Sequence, residues 1–167
     1  MHLLELWKGD NNLSFELYKS FEQNENGFVN PCFQMNKEEY DEYVKLCFHH
    51  SFGLDLKEGY VPDTKYIVVN DENEYVGIVN FRHYLNNVLE NGAGHIGYGI
   101  AKKYRGRGYG NKALALVLEK CKERKIKEVY LSCLKDNEAS YKVQLANGAF
   151  IHHEDDDHYY TRILLNE

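Results

Sequence analysis

Nowhere in the 167 residues does an apolar run approach the roughly 18 residues that a membrane-crossing helix needs, so no membrane span is expected. The opening stretch from Met1 to Trp7 is apolar but short and carries Glu5, which argues against a signal peptide. The four cysteines (Cys32, Cys47, Cys121, Cys133) show no C-x-x-C pairing. Neither a disulfide framework nor a zinc site is expected, and the reading is of a cytoplasmic protein in a reducing compartment. An excess of basic residues is missing too. The net charge of −6 argues against a nucleic-acid partner and is compatible with a cationic, amine-bearing substrate. Internal repeats, linkers and low-complexity segments are absent, and the length suits one domain over residues 1–167.

What stands out is Arg105-Gly106-Arg107-Gly108-Tyr109-Gly110, running directly into an apolar-periodic stretch from Ala113 to Cys121. Glycines let a ligand approach the main chain closely. The first N–H groups of a helix lack internal partners, and its dipole favours an anion there. The combination predicts a pyrophosphate cradle at a helix N-terminus. A Walker loop is excluded, because Asn111 intervenes before Lys112 and Ala113 replaces the hydroxyl residue. The dinucleotide fingerprint G-x-G-x-x-G is excluded by the G-x-G-x-G spacing.

Around this loop the periodicities predict an α/β (α+β) fold with a mixed, mostly antiparallel sheet flanked by helices. Leu3 to Trp7 reads as a strand, Asn12 to Phe21 as a helix and Asn24 to Pro31 as a polar turn. Asn36 and Glu39 form an Asn variant of the capping box, opening a helix that carries Tyr40, Tyr43, Val44, Cys47 and Phe48 on one face. Lys65 to Val69 and Tyr75 to Phe81 read as a hairpin about Asp71 to Asn73. After a polar excursion, His95 to Ile100 reads as a central strand, its glycines implying a bulge or a close approach by a ligand. A helix to about Arg124, a strand Glu128 to Cys133, a short helix Asn137 to Asn147 and a closing hairpin about Asp155 to Asp157 complete the order.

Arg105-x-x-Gly108-x-Gly110 resembles the [RQ]-x-x-G-x-[GA] acyl-CoA loop of the GNAT N-acetyltransferases, and the element order resembles theirs over nearly the whole chain. The motifs Arg82-His83-Tyr84-Leu85-Asn86, Gly94-His95-Ile96-Gly97-Tyr98 and Asp136-Asn137-Glu138-Ala139-Ser140 are similar to one GNAT branch with R-H-x-L-N, G-H-I-G-Y and D-N-x-x-S. The resemblance implies acetyl transfer from acetyl-CoA, as co-substrate and without a metal, to a primary amine of a small molecule or peptide. It implies that backbone N–H groups of Arg105, Gly106, Arg107, Gly108, Tyr109 and Gly110 hold the pyrophosphate. Ile100 would pair with the pantetheine arm, and Asn137, with Ser140 one turn on, would lie beside it. A homodimer remains open. The alternative is a catalytically weak acyl-CoA-binding sensor or structural protein on the same scaffold.

Proton-handling candidates divide. In many GNATs a tyrosine seven residues after the motif asparagine is the acid, and Gln144 stands there instead. Tyr141, expected on the same helix face as Asn137, is the substitute, with core packing as its alternative. His95 is either a base or a structural histidine. Arg82 and His83 either line the acceptor site or, for Arg82, join an ion pair. Glu90 is a weaker base candidate. His152, His153, Asp155, Asp156, Asp157 and His158 form a turn with solvated acids rather than a metal site, and His49-His50 suits a helix dipole.

Overall fold

The computed structural model describes residues 1–166. Strands β1 (His2–Glu5), β4 (Asp63–Val69), β5 (Tyr75–Arg82) and β6 (Ile96–Ile100) form an antiparallel sheet in the order β1-β4-β5-β6. Strands β7 (Glu128–Leu134), β8 (Phe150–Glu154) and β9 (His158–Leu164) form a second sheet in the order β7-β9-β8. A two-stranded ribbon, β2 (Asn24–Glu25) with β3 (Phe28–Val29), occupies the segment expected to be only a turn. Helices α1 (Asn11–Lys19), α2 (Lys37–Ser51), α3 (Asn87–Glu90), α4 (Tyr109–Glu123) and α5 (Glu138–Ala146) complete the order.

Local signals place these elements. Asp10 caps α1 by accepting from Asn12 and Leu13 N–H, and Asn36 with Glu39 forms a full capping box on α2. The α4 stripe is fully realised: Ala113, Leu114, Val117 and Cys121 are completely buried against the sheet. On α2, Tyr40, Val44 and Cys47 go inside while Phe48 stays half exposed, because the stripe drifts past the edge of the core. Leu6 and Trp7, expected as strand, belong to a turn of 3₁₀ helix (Leu6–Lys8) that buries Leu6. All four cysteines are free and buried, where a thiol packs as a small hydrophobe and burial pushes its pKa up.

Among the described residues the two sheets are joined by hydrogen bonds at one end of β6 and β7. His95 N–H donates to the Tyr130 carbonyl at 2.8 Å, and Tyr130 N–H donates to His95 Nδ1 at 3.0 Å. Gly94 permits this pinch. It has φ +65°, and a Cβ there would stand 2.2 Å from the Tyr130 carbonyl oxygen. Beyond the pinch the strands diverge, and a cleft of about 580 Å³ opens between them. No bulge produces the split: β6 pairs with β5 without a register shift from Ile96 to Ile100.

Candidate active site

The cleft is framed by β6, the glycine loop and the start of α4 on one side, and by β7 and α5 on the other. Eight of the nine residues expected to hold the co-substrate line it (Ile100, Arg105, Gly106, Gly108, Tyr109, Gly110, Asn137 and Ser140), and so do Arg82 and His158. Arg107 does not; its guanidinium lies 5.8 Å from the centre of the Tyr104 ring.

Gly106 and Gly108 adopt φ of +75° and +77°, the left-handed conformation that turns successive N–H groups toward one side. Gly108 is the N-cap of α4, without a side-chain cap. The backbone N–H groups of residues 106 to 111 donate to no acceptor among the described residues; the first backbone bond in this run is Lys112 N–H to Gly108 at 3.2 Å. Six neighbouring free donors at a helix start can hold a phosphate-like anion. A Cβ on Gly106 or Gly108 would meet no protein atom within 4 Å, so the space above the loop is open.

The open edge of β6 offers more main chain. Arg82 N–H bonds the His95 carbonyl at 2.8 Å and Ala101 N–H bonds Val76 at 2.9 Å. With the register between them, the His95 carbonyl, the polar groups of residues 97 and 99 and the Ala101 N–H face β5, and the polar groups of Ile96, Tyr98 and Ile100 face the cleft. The Ile100 carbonyl is occupied by Arg105 Nε at 2.9 Å. Tyr98 N–H and C=O and Ile100 N–H remain for an extended ligand to pair with as an added strand.

Side chains of β6 alternate between two chemically different faces. Gly97 and Gly99 face α1 and the β2–β3 ribbon, where Phe21 and Phe28 crowd Gly99 but nothing stands over Gly97. Tyr98 faces α5, and its hydroxyl pairs with Ser140 Oγ at 2.8 Å. Burial pushes the Tyr98 phenol up to about 12, so it stays protonated. Beneath this pair, Gln144 is 1% exposed: its amide donates to the Ser132 carbonyl and Ser140 Oγ, and its oxygen accepts from Thr161 Oγ1 at 2.6 Å. Gln144 therefore supports the hydroxyl pair from below and does not line the cleft.

Two expected residues sit elsewhere. Tyr141 lies with its ring 4.8 Å from that of Tyr159 and outside the cleft lining, because a helix turns about 100° per residue and Ser140 takes the inward place. His95 is 5% exposed and spends Nδ1 on Tyr130, fastening the two sheets. Burial, reinforced by the charges of Arg162 and Arg82, lowers its pKa to about 4, so it is neutral near pH 7 and a weaker base than a free histidine. His83 turns to Thr64 Oγ1 at 2.8 Å, away from the cleft, and Glu90 lies at the end of α3 outside the lining. Asp155 is used by its own turn, accepting from Asp157 and His158 N–H and from the Tyr160 hydroxyl. Among the described residues no group of three or more His, Cys, Asp or Glu could hold a metal ion.

The ribbon strides across the cleft mouth: Glu25 pairs with Arg105 at 3.0 Å, and Asn137 Nδ2 donates to the Asn26 carbonyl at 3.0 Å while its Oδ1 caps α5 through Ser140 N–H. Tyr98, Glu25 and Asn26 escaped the sequence reading as site residues. Only Tyr98 carried a usable signal: alternation along Ile96-Gly97-Tyr98-Gly99-Ile100 puts it on a face opposite the glycines.

Solved acetyltransferases share this fold. The ribosomal-protein-S5-alanine acetyltransferase of Vibrio fischeri aligns over 98% of this chain and 91% of its own, with TM-score 0.68 and 18% identity. The N-acetyltransferase PseH of Campylobacter jejuni, solved in complex with acetyl coenzyme A, aligns over 98% of both chains with TM-score 0.65 and 15% identity. A GNAT-family acetyltransferase of Bacillus anthracis aligns over 90% of both, with TM-score 0.61 and 20% identity. No curated protein sequence matches the chain. The model of the acetyltransferase (GNAT) family matches residues 28–145, and the chain belongs to that family.

Proposed function

We propose that this chain is an N-acetyltransferase, one domain throughout, that transfers acetyl from acetyl-CoA to a primary amine by direct attack. The carrying observation is the run of six unbonded N–H groups from residue 106 to 111, set where the sheet splits. The residues present fit the co-substrate. The loop amides would hold its pyrophosphate, and the free edge of β6 at Tyr98 and Ile100 would align its extended arm. That PseH was solved with acetyl-CoA in the same fold supports this reading.

Acetyl-CoA supplies an activated acetyl group; the chain's own residues hold it, orient it and manage one proton. The neutral amine nitrogen would approach over Gly97, where no side chain stands, and bond to the carbonyl carbon as the carbon–sulfur bond breaks. Tyr98 N–H or Ile100 N–H would stabilise the negative charge that gathers on the carbonyl oxygen. The Tyr98–Ser140 hydroxyl pair would donate a hydrogen bond to the departing sulfur. Full transfer from a phenol near 12 to a thiolate of about 8.5 runs uphill, so the pair stabilises the thiolate, and the proton shed by the amine reaches it through solvent. Placing two substrates side by side contributes much of the remaining acceleration.

Release of free CoA, measured with a panel of amino acids, peptide N-termini, polyamines and aminoglycosides, tests the proposal. Acetyl-CoA-dependent turnover on at least one amine is expected. Tight acetyl-CoA binding with no turnover on any of them would replace it with the sensor reading.

A further inference from the structure

The acceptor half of the cleft has an unusual charge balance. Of its lining residues only Glu25 is acidic, and Glu25 is already paired with Arg105 at 3.0 Å. Arg82, at the end of β5, also lines the cleft, yet no carboxylate of the described residues comes within 4.0 Å of it. Its one hydrogen bond to protein runs from Nη1 to the Gly94 carbonyl at 3.1 Å, leaving four of the five guanidinium N–H donors without a protein acceptor. Asp63 faces Arg82 across the β4–β5 pair, but Lys65 holds that carboxylate and also donates to Asn80 at 2.9 Å. Two cations thus share one anion on this face.

From these observations we infer that the acceptor amine also carries a carboxylate, and that Arg82 selects it. This deepens the acetyl-transfer reading and rests on it. Leaving a guanidinium largely desolvated and unpaired is costly, and a ligand carboxylate would relieve that cost while matching the planar fork in two parallel bonds. The geometry suits a short acceptor. Arg82 stands opposite His95, three residues before Tyr98, a run of about 10 Å along the strand at 3.3 Å per residue. A long arginine side chain covers most of that span, so the carboxylate belongs a few bonds from the attacking nitrogen, as in a free amino acid. The same balance works against a polyamine: a second ammonium would find Arg82 and no free carboxylate in the cleft.

The test compares kcat/KM for free amino acids with that for their amides and their decarboxylated amines at fixed acetyl-CoA. The acids should be favoured at least tenfold. In Arg82→Gln that ratio should fall to within twofold of unity, and in Arg82→Lys, which keeps the charge but not the fork, it should lie between. A purely structural role would lower every acceptor alike and preserve the ratio, which would overturn the inference, as would equal use of acids and amides by the wild type. Thermal melting checks that each variant folds; if Arg82→Gln does not, a threefold or greater fall in the ratio for Arg82→Lys decides the matter. If no amine is acetylated, the acetyl-transfer reading fails separately. The same acid–amide pairs are then titrated calorimetrically with CoA present: tenfold tighter binding of the acid, lost in the Arg82 variants, supports the anion site, and equal binding overturns it.

Discussion

The two walls of the cleft are built on different physical principles. The glycine-loop wall presents main chain: the amides of residues 106 to 111 and the open edge of β6. The opposite faces present side chains drawn from distant segments, with Phe21, Phe28 and Arg82 on one and Tyr98 and Ser140 on the other, the last two held from below by Gln144. A backbone wall needs only the right local conformation, which glycine supplies over half a dozen residues. A side-chain wall needs tertiary structure to bring its parts together. A common ligand group suits the first, and a specific substrate suits the second.

The sharpest break in this comparison is Gly108→Val. The residue sits at φ +77°, where a β-branched side chain is strained, and its Cβ would enter the open space above the loop. Acetyl-CoA affinity measured by calorimetry should fall at least about 100-fold, equivalent to roughly 2.7 kcal/mol, on folded protein. Unchanged affinity would remove the loop from the binding site.

On the side-chain wall, Tyr98→Phe keeps the ring and deletes the hydroxyl that meets Ser140. We expect kcat to fall about 10- to 100-fold with the acetyl-CoA affinity retained, as for a lost transition-state hydrogen bond. Tyr141→Phe is the control from the same helix neighbourhood. Its ring packs on Tyr159, so kcat should stay within about threefold of the wild type. A reversed order, with Tyr141→Phe the slower enzyme, would return the proton-donor role to α5.

The last prediction concerns the pinch that joins the walls, and it reads stability rather than binding or turnover. His95 is neutral in the fold with a pKa of about 4, against about 6.5 in the unfolded chain. Between those values the unfolded state binds the extra proton, so stability rises with pH there. The contribution is complete above about pH 6.5 and is lost as pH falls toward 4, amounting to at most roughly 3 kcal/mol. Urea midpoints at pH 7 and pH 4.5 measure it. His95→Gln should flatten part of the slope while leaving some, because burial and the nearby Arg124 also lower the His83 pKa to about 4. An unaltered slope in the variant would show that His95 is not the group that senses pH.

The walls also differ in how far the sequence disclosed them. The α4 stripe, the Asn36–Glu39 capping box, the β4–β5 hairpin and a short helix opening at Asn137 were all readable, because each depends on residues within one or two turns of each other. The glycine loop was readable as the opening of a helix. The face of α5 was readable only as a period. Helical spacing groups Asn137, Ser140, Tyr141 and Gln144, but which edge of that group meets the cleft depends on the angle at which α5 packs on β7 and β9. The actual docking buries Gln144, aims Ser140 at Tyr98 and turns Tyr141 to Tyr159.

The amino-acid sequence by itself determined the kinds of elements, their order and the glycine loop that opens α4, since periodicity, capping and glycine conformations act over a few residues. Tertiary structure decided that His95 fastens two sheets, that the Tyr98 and Ser140 hydroxyls meet, and that Arg82 reaches the cleft without a carboxylate partner. Those outcomes depend on side chains from strands and helices far apart in the chain. Their environment, including burial, dielectric and opposing charge, exists only once the two sheets have met and parted.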